Sequence, residues 1–490
     1  MERKRFWTVP LLVLVAFTIA ACGGAATPNP TAAPEAASTA SAPTAAPDTT
    51  APTAAATAGL PSGSAEGTTD YSQIGPELVN AFAGAYRGTT VTFNSNCFND
   101  PGCVSTFREF QERTGITVNL IPPGDPAALV VKIESNTVED IVDLTNPGFL
   151  SSYAETGKIV DLNKVVNPEW LKANFAQGFL DTATVEGPEG PMLGGIFTYI
   201  NFKSAVWYPK QAFEEAGYTI PTTWAEQQAL MDEIVADGDT PWCIGIESGG
   251  ATGWPATDWL EDIMLRTTSP ENYDRWTRGE LPFTSPEFRN ALSILTDIWF
   301  NDAYVYGGRQ AIPATNFLEA PNPMFEDPPR CWLHRQANFI TIQSFEKNNP
   351  GLVSGVDYDF YYLPPIDEQY GKPVLYAGDM FAMFNDRPEV RAVLQYTTTY
   401  EWIRPWILAG GEAISPHRNS ALEDYTTDVY RSMAETILTA DTVRFDGSDL
   451  MPAEVGAGSF WKGMTDYVSG SADLEQALTT MQNGWANVKP

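Results

Sequence analysis

Histidine is almost missing from this chain: among 490 residues there are two, His334 and His417. The five cysteines show no CxxC spacing, so a tetrahedral zinc site has too few ligands, and neither a metal nor a cofactor is expected. There is no GxxxxGK[ST] phosphate loop, so an ATPase of that kind is not part of this chain. GxSxG is absent, and with so little histidine a serine hydrolase is disfavoured. Positive charge is also scarce. Lys and Arg total 29 against 61 Asp and Glu, a formal charge of −32. That argues against nucleic acid, anionic lipid surfaces and anionic ligands. Finally, no aromatic residue lies between Cys22 and Tyr71.

The first residues set the compartment. Arg3, Lys4 and Arg5 precede an apolar run, Leu11 to Ile19, that is too short to span a bilayer comfortably. Small residues follow, as in an export signal, so residues 1–21 are read as a signal peptide. Ile19-Ala20-Ala21-Cys22 resembles the bacterial lipobox, which implies cleavage before Cys22 and its acylation. Residues 22–69 are nearly all Ala, Pro, Thr, Ser and Gly, and such a segment cannot bury enough apolar surface to offset its ordering entropy. The expectation is a lipid-anchored tether, reaching on the order of 40 Å by random-coil scaling, on the extracytoplasmic side of a membrane.

About 420 residues remain, too many for one core and natural for two lobes. The sequence has 14 Trp, 19 Tyr and 25 Phe, enough for a core and for a cleft that stacks on flat ligand faces. With Cys22 assigned to lipid, Cys97, Cys103, Cys243 and Cys331 permit two disulfides in an oxidising compartment. Three pairings are possible. Cys97 with Cys103, closing the turn-rich NCFNDPGC, is the most natural, and Cys243 with Cys331 would then close a long loop.

Strand and helix patterns alternate. Thr90–Asn94 reads as a buried strand, Val104, Phe107 and Phe110 recur at helical spacing, and Gly115 marks a helix stop. Ile116–Ile121 and Asp140–Leu144 read as strands around a helix at Leu129–Ile133. This order predicts a parallel α/β sheet with right-handed crossovers. Ligands sit beyond the carboxyl ends of such strands, which puts Asn94, Ser95, Asn96, Thr145 and Asn146 at a cleft edge. Thr223 and Glu226 form a capping-box pattern ahead of a helix through Val235. Val374–Met383 reads as a strand, about 388–400 as a helix, and the stretch from Ser420 as mainly helical, broken at Asp446-Gly447.

Several long runs carry a family resemblance. DIVDLTNPGFLSSYAETGKIVDL and NFKSAVWYPKQAFEEAGYTIPTTWAEQ are similar to stretches of family 1 extracellular solute-binding proteins of ABC importers, the maltose-binding type. TPWCIGIESGGATGWPATDWLEDIMLR, PPRCWLHRQANFI, AGDMFAMFNDRPEVRA and RFDGSDLMPAEVGAGSFWKGMTDYV resemble its alpha-glucoside-binding members. The resemblance implies the type II periplasmic-binding-protein fold, two α/β lobes joined by a hinge. It places one lobe at 70–201 with 377–412 and the other at 205–372 with 417–490. The hinges fall near 202–204, 373–376 and 413–416. It also implies a monomer that delivers a small neutral saccharide, an alpha-glucoside, to separate permease subunits.

Sugar chemistry selects candidate residues. Aromatic rings cover the apolar C–H faces, and planar polar groups take hydroxyls in pairs. Trp254, held off a regular helix by its neighbouring glycine and proline, Trp332, set by the adjacent Cys331, and Trp461, which resembles the stacking tryptophan of maltose-binding relatives, are the expected platforms. Trp259 and Trp207 are expected in the core. Asp379 follows Gly378, which lets backbone approach a ligand, and is expected to accept hydroxyls. Asp258 is either a hydroxyl acceptor or a helix-start charge. Asn96, Asn146, Tyr199, Asn201, Glu247 and Arg335 complete the set. No catalytic residue is expected. The competing readings are an extracellular glycoside hydrolase, since 61 acidic residues leave room for a carboxylate pair, and a binding protein for a non-sugar solute.

Overall fold

The computed structural model describes residues 69–124 and 126–488. The leader, Cys22 and the tether through residue 68 lie outside the described residues. None of the described helices is long and apolar enough to cross a membrane.

Among the described residues, eleven strands form three sheets. They are β1 (Thr90–Asn94), β2 (Thr117–Ile121), β3 (Ile141–Leu144), β4 (Thr184–Gly187), β5 (Gly190–Leu193), β6 (Ile196–Phe202), β7 (Ala205–Pro209), β8 (His334–Arg335), β9 (Tyr358–Tyr362), β10 (Pro373–Met383) and β11 (Thr442–Phe445). The large sheet runs β11-β10-β3-β1-β2, with β6 on β10. β1 pairs in parallel with both β2 and β3, as expected for strands linked through helices. β10 runs antiparallel to β3 and β6 and buries all eleven of its residues. A three-stranded sheet, β8-β7-β9, forms the second centre, and β4-β5 is a separate hairpin.

The large and small sheets are joined where the chain steps from β6 to β7 through Lys203 and Ser204. The buried residues form two hydrophobic cores. Phe93, Val142, Phe381 and Trp402 belong to one, and Leu260, Trp276, Leu295 and Phe460 to the other.

Local signals explain most elements. Gly115 ends the helix Arg108–Thr114 in a left-handed conformation, φ 73°. Thr223 and Glu226 form both halves of the capping box on the helix Trp224–Ala236. Both disulfides join the expected partners, Cys97 with Cys103 and Cys243 with Cys331, with Cα–Cα distances of 6.0 and 5.5 Å.

The stretch after Ser420 is mainly helical, as expected, and includes one strand, Thr442–Phe445, that pairs in parallel with Pro373–Tyr376. One expectation needs correction. Trp254 is not held off a helix: it is the first residue of the helix Trp254–Leu265, with Gly253 as its cap. Proline is favoured in the first helical turn, where its missing N–H costs nothing, so Pro255 starts this helix.

Candidate functional site

The carboxyl ends of the large-sheet strands gather acidic side chains. β3 carries Asp143 and β10 carries Asp379, whose neighbour across the ladder is Tyr199 on β6. Asp143 Oδ2 accepts the Asn96 backbone N–H at 3.0 Å and the Ser95 hydroxyl at 3.3 Å. Asp379 Oδ2 accepts Asn96 Nδ2 at 3.0 Å and the Tyr199 hydroxyl, while Asn201 Nδ2 reaches Oδ1 at 3.4 Å. A register shift in the ladder between Asp379 and Met380 marks the point where this carboxylate is presented. Both aspartates are buried and lie against one another. Burial, and then the charge of Asp379, pushes Asp143 well above the usual carboxylate range, and burial raises Asp379 as well. The pair therefore holds a proton more tightly than two isolated aspartates.

Aromatic rings and a further carboxylate border this pair. The Tyr199 ring meets Trp406 edge-on at 5.0 Å, and Trp406 Nε1 donates to Asp100 at 3.2 Å. Gly411 allows the close approach, since a methyl there would sit 2.2 Å from the indole. Glu412 beside it is buried and raised, first by burial and then by Asp100 and Asp379.

The second half of the site centres on Lys203, in the step between the sheets. Its Nζ lies 2.9 Å from Asp258 and 2.5 Å from Asp446. Burial alone would lower this ammonium, but Asp258, Asp446 and Asp449 together push it up. Burial raises Asp258 to about 7 against the pull of Lys203. Asp446 is the reverse: burial would raise it, but Lys203, together with hydrogen bonds from Asp258 and the Asp449 N–H, holds it at about 2. Glu261, raised by burial, accepts the Gly447 and Ser448 backbone N–H groups at 2.7 and 3.0 Å. One oxygen each of Asp258, Glu261 and Asp446 lie within 4.8 Å of one another, a spacing that suits a cation, and Lys203 supplies the positive charge there.

Lys203 Nζ also lies 5.5 Å from the centre of the Trp254 ring, which packs on Phe317 at 5.0 Å and Phe339 at 6.0 Å. Trp461 follows: its Nε1 donates to Ser448 at 3.4 Å, and its carbonyl passes Gly253, where a methyl would approach within 2.5 Å. Asn146 caps the helix Pro147–Ala154 and donates to Asp449 at 3.2 Å. The two halves share one electrostatic environment, since Asp449 is raised by burial and by Asp446 and feels Asp379, which in turn feels Lys203.

Three carboxylate oxygens in this region, Asp143 Oδ1, Asp258 Oδ2 and Glu412 Oε2, are buried and find no donor among the described residues. A buried acceptor without a donor is costly, so such atoms point to a partner that brings hydrogens.

The structure brings together Asn96, Tyr199, Asn201 and Asp379 on one side and Trp254, Asp258 and Trp461 on the other, with Asn146 linked through Asp449. It does not bring in the remaining three. Glu247 accepts from Asn316 and the Gly249 N–H, and so braces a loop. Trp332 packs edge-on against Tyr218 at 5.0 Å in the second core. Arg335 is tied to Asp262, which also holds Arg266. Trp259 and Trp207 are core, as expected. Asp143, Lys203, Trp406, Glu412, Asp446 and Asp449 were not singled out from sequence. The available signals were a carboxylate inside the apolar strand IVDL and a lysine between two fully buried strands.

The chain has counterparts among known proteins. Residues 104–315 match the family described as bacterial extracellular solute-binding protein. A Synechocystis protein, "Osmoprotective compounds-binding protein GgtB", is 42% identical over 380 residues, covering 77% of this chain and 87% of the relative. A Rhizobium meliloti protein, "Alpha-glucosides-binding periplasmic protein AglE", is 38% identical over 393 residues, covering 79% and 84%. Among solved structures, a "Chitin oligosaccharide binding protein" superposes with a TM-score of 0.66 over 81% of this chain and 98% of its own, at 16% identity, a likeness of fold alone. The fold is that of the type II periplasmic binding proteins, two α/β lobes joined by a hinge. With that fold, and with relatives this similar across most of their length, the chain belongs to the bacterial extracellular solute-binding proteins that serve ABC importers.

Proposed function

We propose that this protein captures a neutral saccharide, an alpha-glucoside, between its two lobes and hands it unchanged to an ABC permease. The three buried carboxylate oxygens without protein donors carry this reading. Sugar hydroxyls are donors at the right density to satisfy them, and the half-buried rings of Trp254 and Trp461 offer apolar faces for the sugar ring. A small number of placed polar groups among aromatic walls is the usual makeup of a ligand pocket. The lobes are residues 70–201 with 377–412 and 205–372 with 417–490, swinging on the steps near 202–204, 373–376 and 413–416. A ligand drives closure only through contacts that exist in the closed form, and groups contributed from both sides of the Lys203 step provide them. Acylated Cys22 would keep the protein at the membrane as a monomer, with the residues to 69 as its reach.

A second reading follows from the relative named for osmoprotective compounds: a small compatible solute with a comparable set of hydroxyls. Both readings predict binding without turnover, unlike a glycoside hydrolase. The test is thermal denaturation of residues 70–490 with maltose, sucrose, trehalose and small polyols, with chromatography of the sugar afterwards. A raised melting temperature with intact sugar supports capture. Cleaved sugar, or no response to any compound, contradicts it.

A further inference from the structure

The disulfide Cys97–Cys103 closes a short loop, its ends six positions apart, and Asn96 directly precedes it. Asn96 lies just beyond the end of β1 and is half-buried. Its backbone N–H goes to Asp143 at 3.0 Å and its Nδ2 to Asp379 at 3.0 Å, so it ties carboxylates of β3 and β10 to the turn after β1. The loop has little packing of its own: Asn99 and Pro101 are exposed, and Phe98 is only half-buried. Its fastening is at the far end. Asp100 caps the helix Pro101–Thr106 by accepting the Gly102 and Cys103 N–H groups at 2.6 and 3.1 Å, and its other oxygen accepts Trp406 Nε1. Gly102 lets this helix lie against that indole, since a methyl there would sit 2.5 Å from it. Cys103 is in the first turn of the helix, and both cysteines are buried.

We infer that Cys97 and Cys103 are positioning residues for saccharide binding: their disulfide clamps the turn after β1 to the helix Pro101–Thr106, and so holds Asn96 where its amide aims the Asp379 carboxylate. This deepens the saccharide reading and rests on it. Asp379 also accepts from Tyr199 and Asn201, but both of those lie on β6 and are held by the sheet. Asn96 lies in a loop, and the disulfide gives it the support that its own secondary structure does not. The clamp reaches Asp143 as well, because Ser95 Oγ, which donates to that carboxylate, lies 3.2 Å from Cys97 Sγ. A side chain left free must be ordered when the ligand arrives, and that cost is lost from affinity. A side chain locked beforehand by its supporting groups avoids it.

The test separates position from stability. Affinity for maltose, sucrose and trehalose is measured by calorimetry for the wild type, for Cys97→Ala/Cys103→Ala, for Asn96→Ala and for their combination, with melting temperatures alongside. Cys97→Ser/Cys103→Ser is prepared as a second replacement of the pair. For the sugar that the wild type binds, removing the disulfide is expected to weaken binding about three- to tenfold, the cost of ordering one freed side chain. In the Asn96→Ala background the same removal weakens it less than about twofold, because the clamp acts through that amide and the two effects do not add. Melting temperature behaves differently: it falls by a similar amount in both backgrounds, since the constraint on the unfolded chain does not involve the Asn96 side chain. Wild-type affinity without the disulfide, wild-type affinity in Asn96→Ala, or an equal affinity loss in both backgrounds overturns the inference and leaves the saccharide reading intact. So does failure of both pair replacements to fold, which shows a role in stability alone. If the wild type binds none of the three sugars, the reading beneath it fails too.

Discussion

Asp379 joins the parts of the site: it accepts from Asn96, Tyr199 and Asn201, and it is buried. Asp379→Asn keeps the shape but turns one acceptor oxygen into a donor facing other donors. Saccharide affinity is expected to fall about 10- to 100-fold, and the melting temperature without ligand to fall as well, the effect of an unpaired buried polar group. Titration calorimetry alongside thermal denaturation measures both. A second residue-scale effect concerns His334, buried beside Cys331 with Nδ1 on the Cys243 carbonyl at 2.8 Å. Burial lowers it from 6.5 to about 4. The unfolded chain then binds a proton that the folded one refuses, so His334 costs stability as pH falls through 6.5, and the loss is complete below about 4. The full effect is about 3 kcal/mol. Denaturant melts of the wild type and His334→Gln at pH 7 and pH 4.5 are expected to show a smaller acid loss in the variant. At this scale the sequence revealed Asn96 because it follows the end of a recognisable strand, and Asp379 and Tyr199 because they lie beside Gly378 and ahead of the expected hinge. It hid Lys203 and Asp446, since the pairing of two residues 243 positions apart is a property of the fold and not of local pattern.

Among elements, the helix Pro147–Ala154 approaches the end of the short helix Gly447–Leu450 closely. A methyl on Gly148 would sit 1.9 Å from the Met451 carbonyl oxygen. The contact is backbone, so a flexible side chain cannot yield to relieve it. Gly148→Ala is expected to push these helices apart and break the Asn146–Asp449 bond, weakening saccharide binding about tenfold or more while the helix itself gains propensity. Titration of the variant, with circular dichroism to confirm its helix content, checks this. Strong local grammar made most elements legible: Thr90–Asn94, the Thr223–Glu226 capping box and the Gly115 stop were each readable in a few residues. β11 was not, because TVRF is four residues long with an exposed valine and becomes a strand only by pairing with β10. The helix start at Trp254 was misread by treating Pro255 as a breaker when its place in the first turn makes it an initiator.

For the whole molecule, the central claim is that a neutral sugar satisfies buried acceptors contributed from both sides of the step at Lys203. The two-lobed architecture was legible because alternating strands and helices over about 420 residues exceed what one core can organise. Residues on both sides of the site were legible too, but the Lys203 link to Asp258 and Asp446 was not, because it forms only when distant segments are assembled. The most direct measurement is a calorimetric titration of residues 70–490 with maltose, sucrose and trehalose, followed by chromatography of the recovered sugar. Saturable one-to-one binding of at least one of them, with the sugar recovered whole, is the expected result. Heat-silent titrations with all three, or recovery of cleaved sugar, would contradict the account.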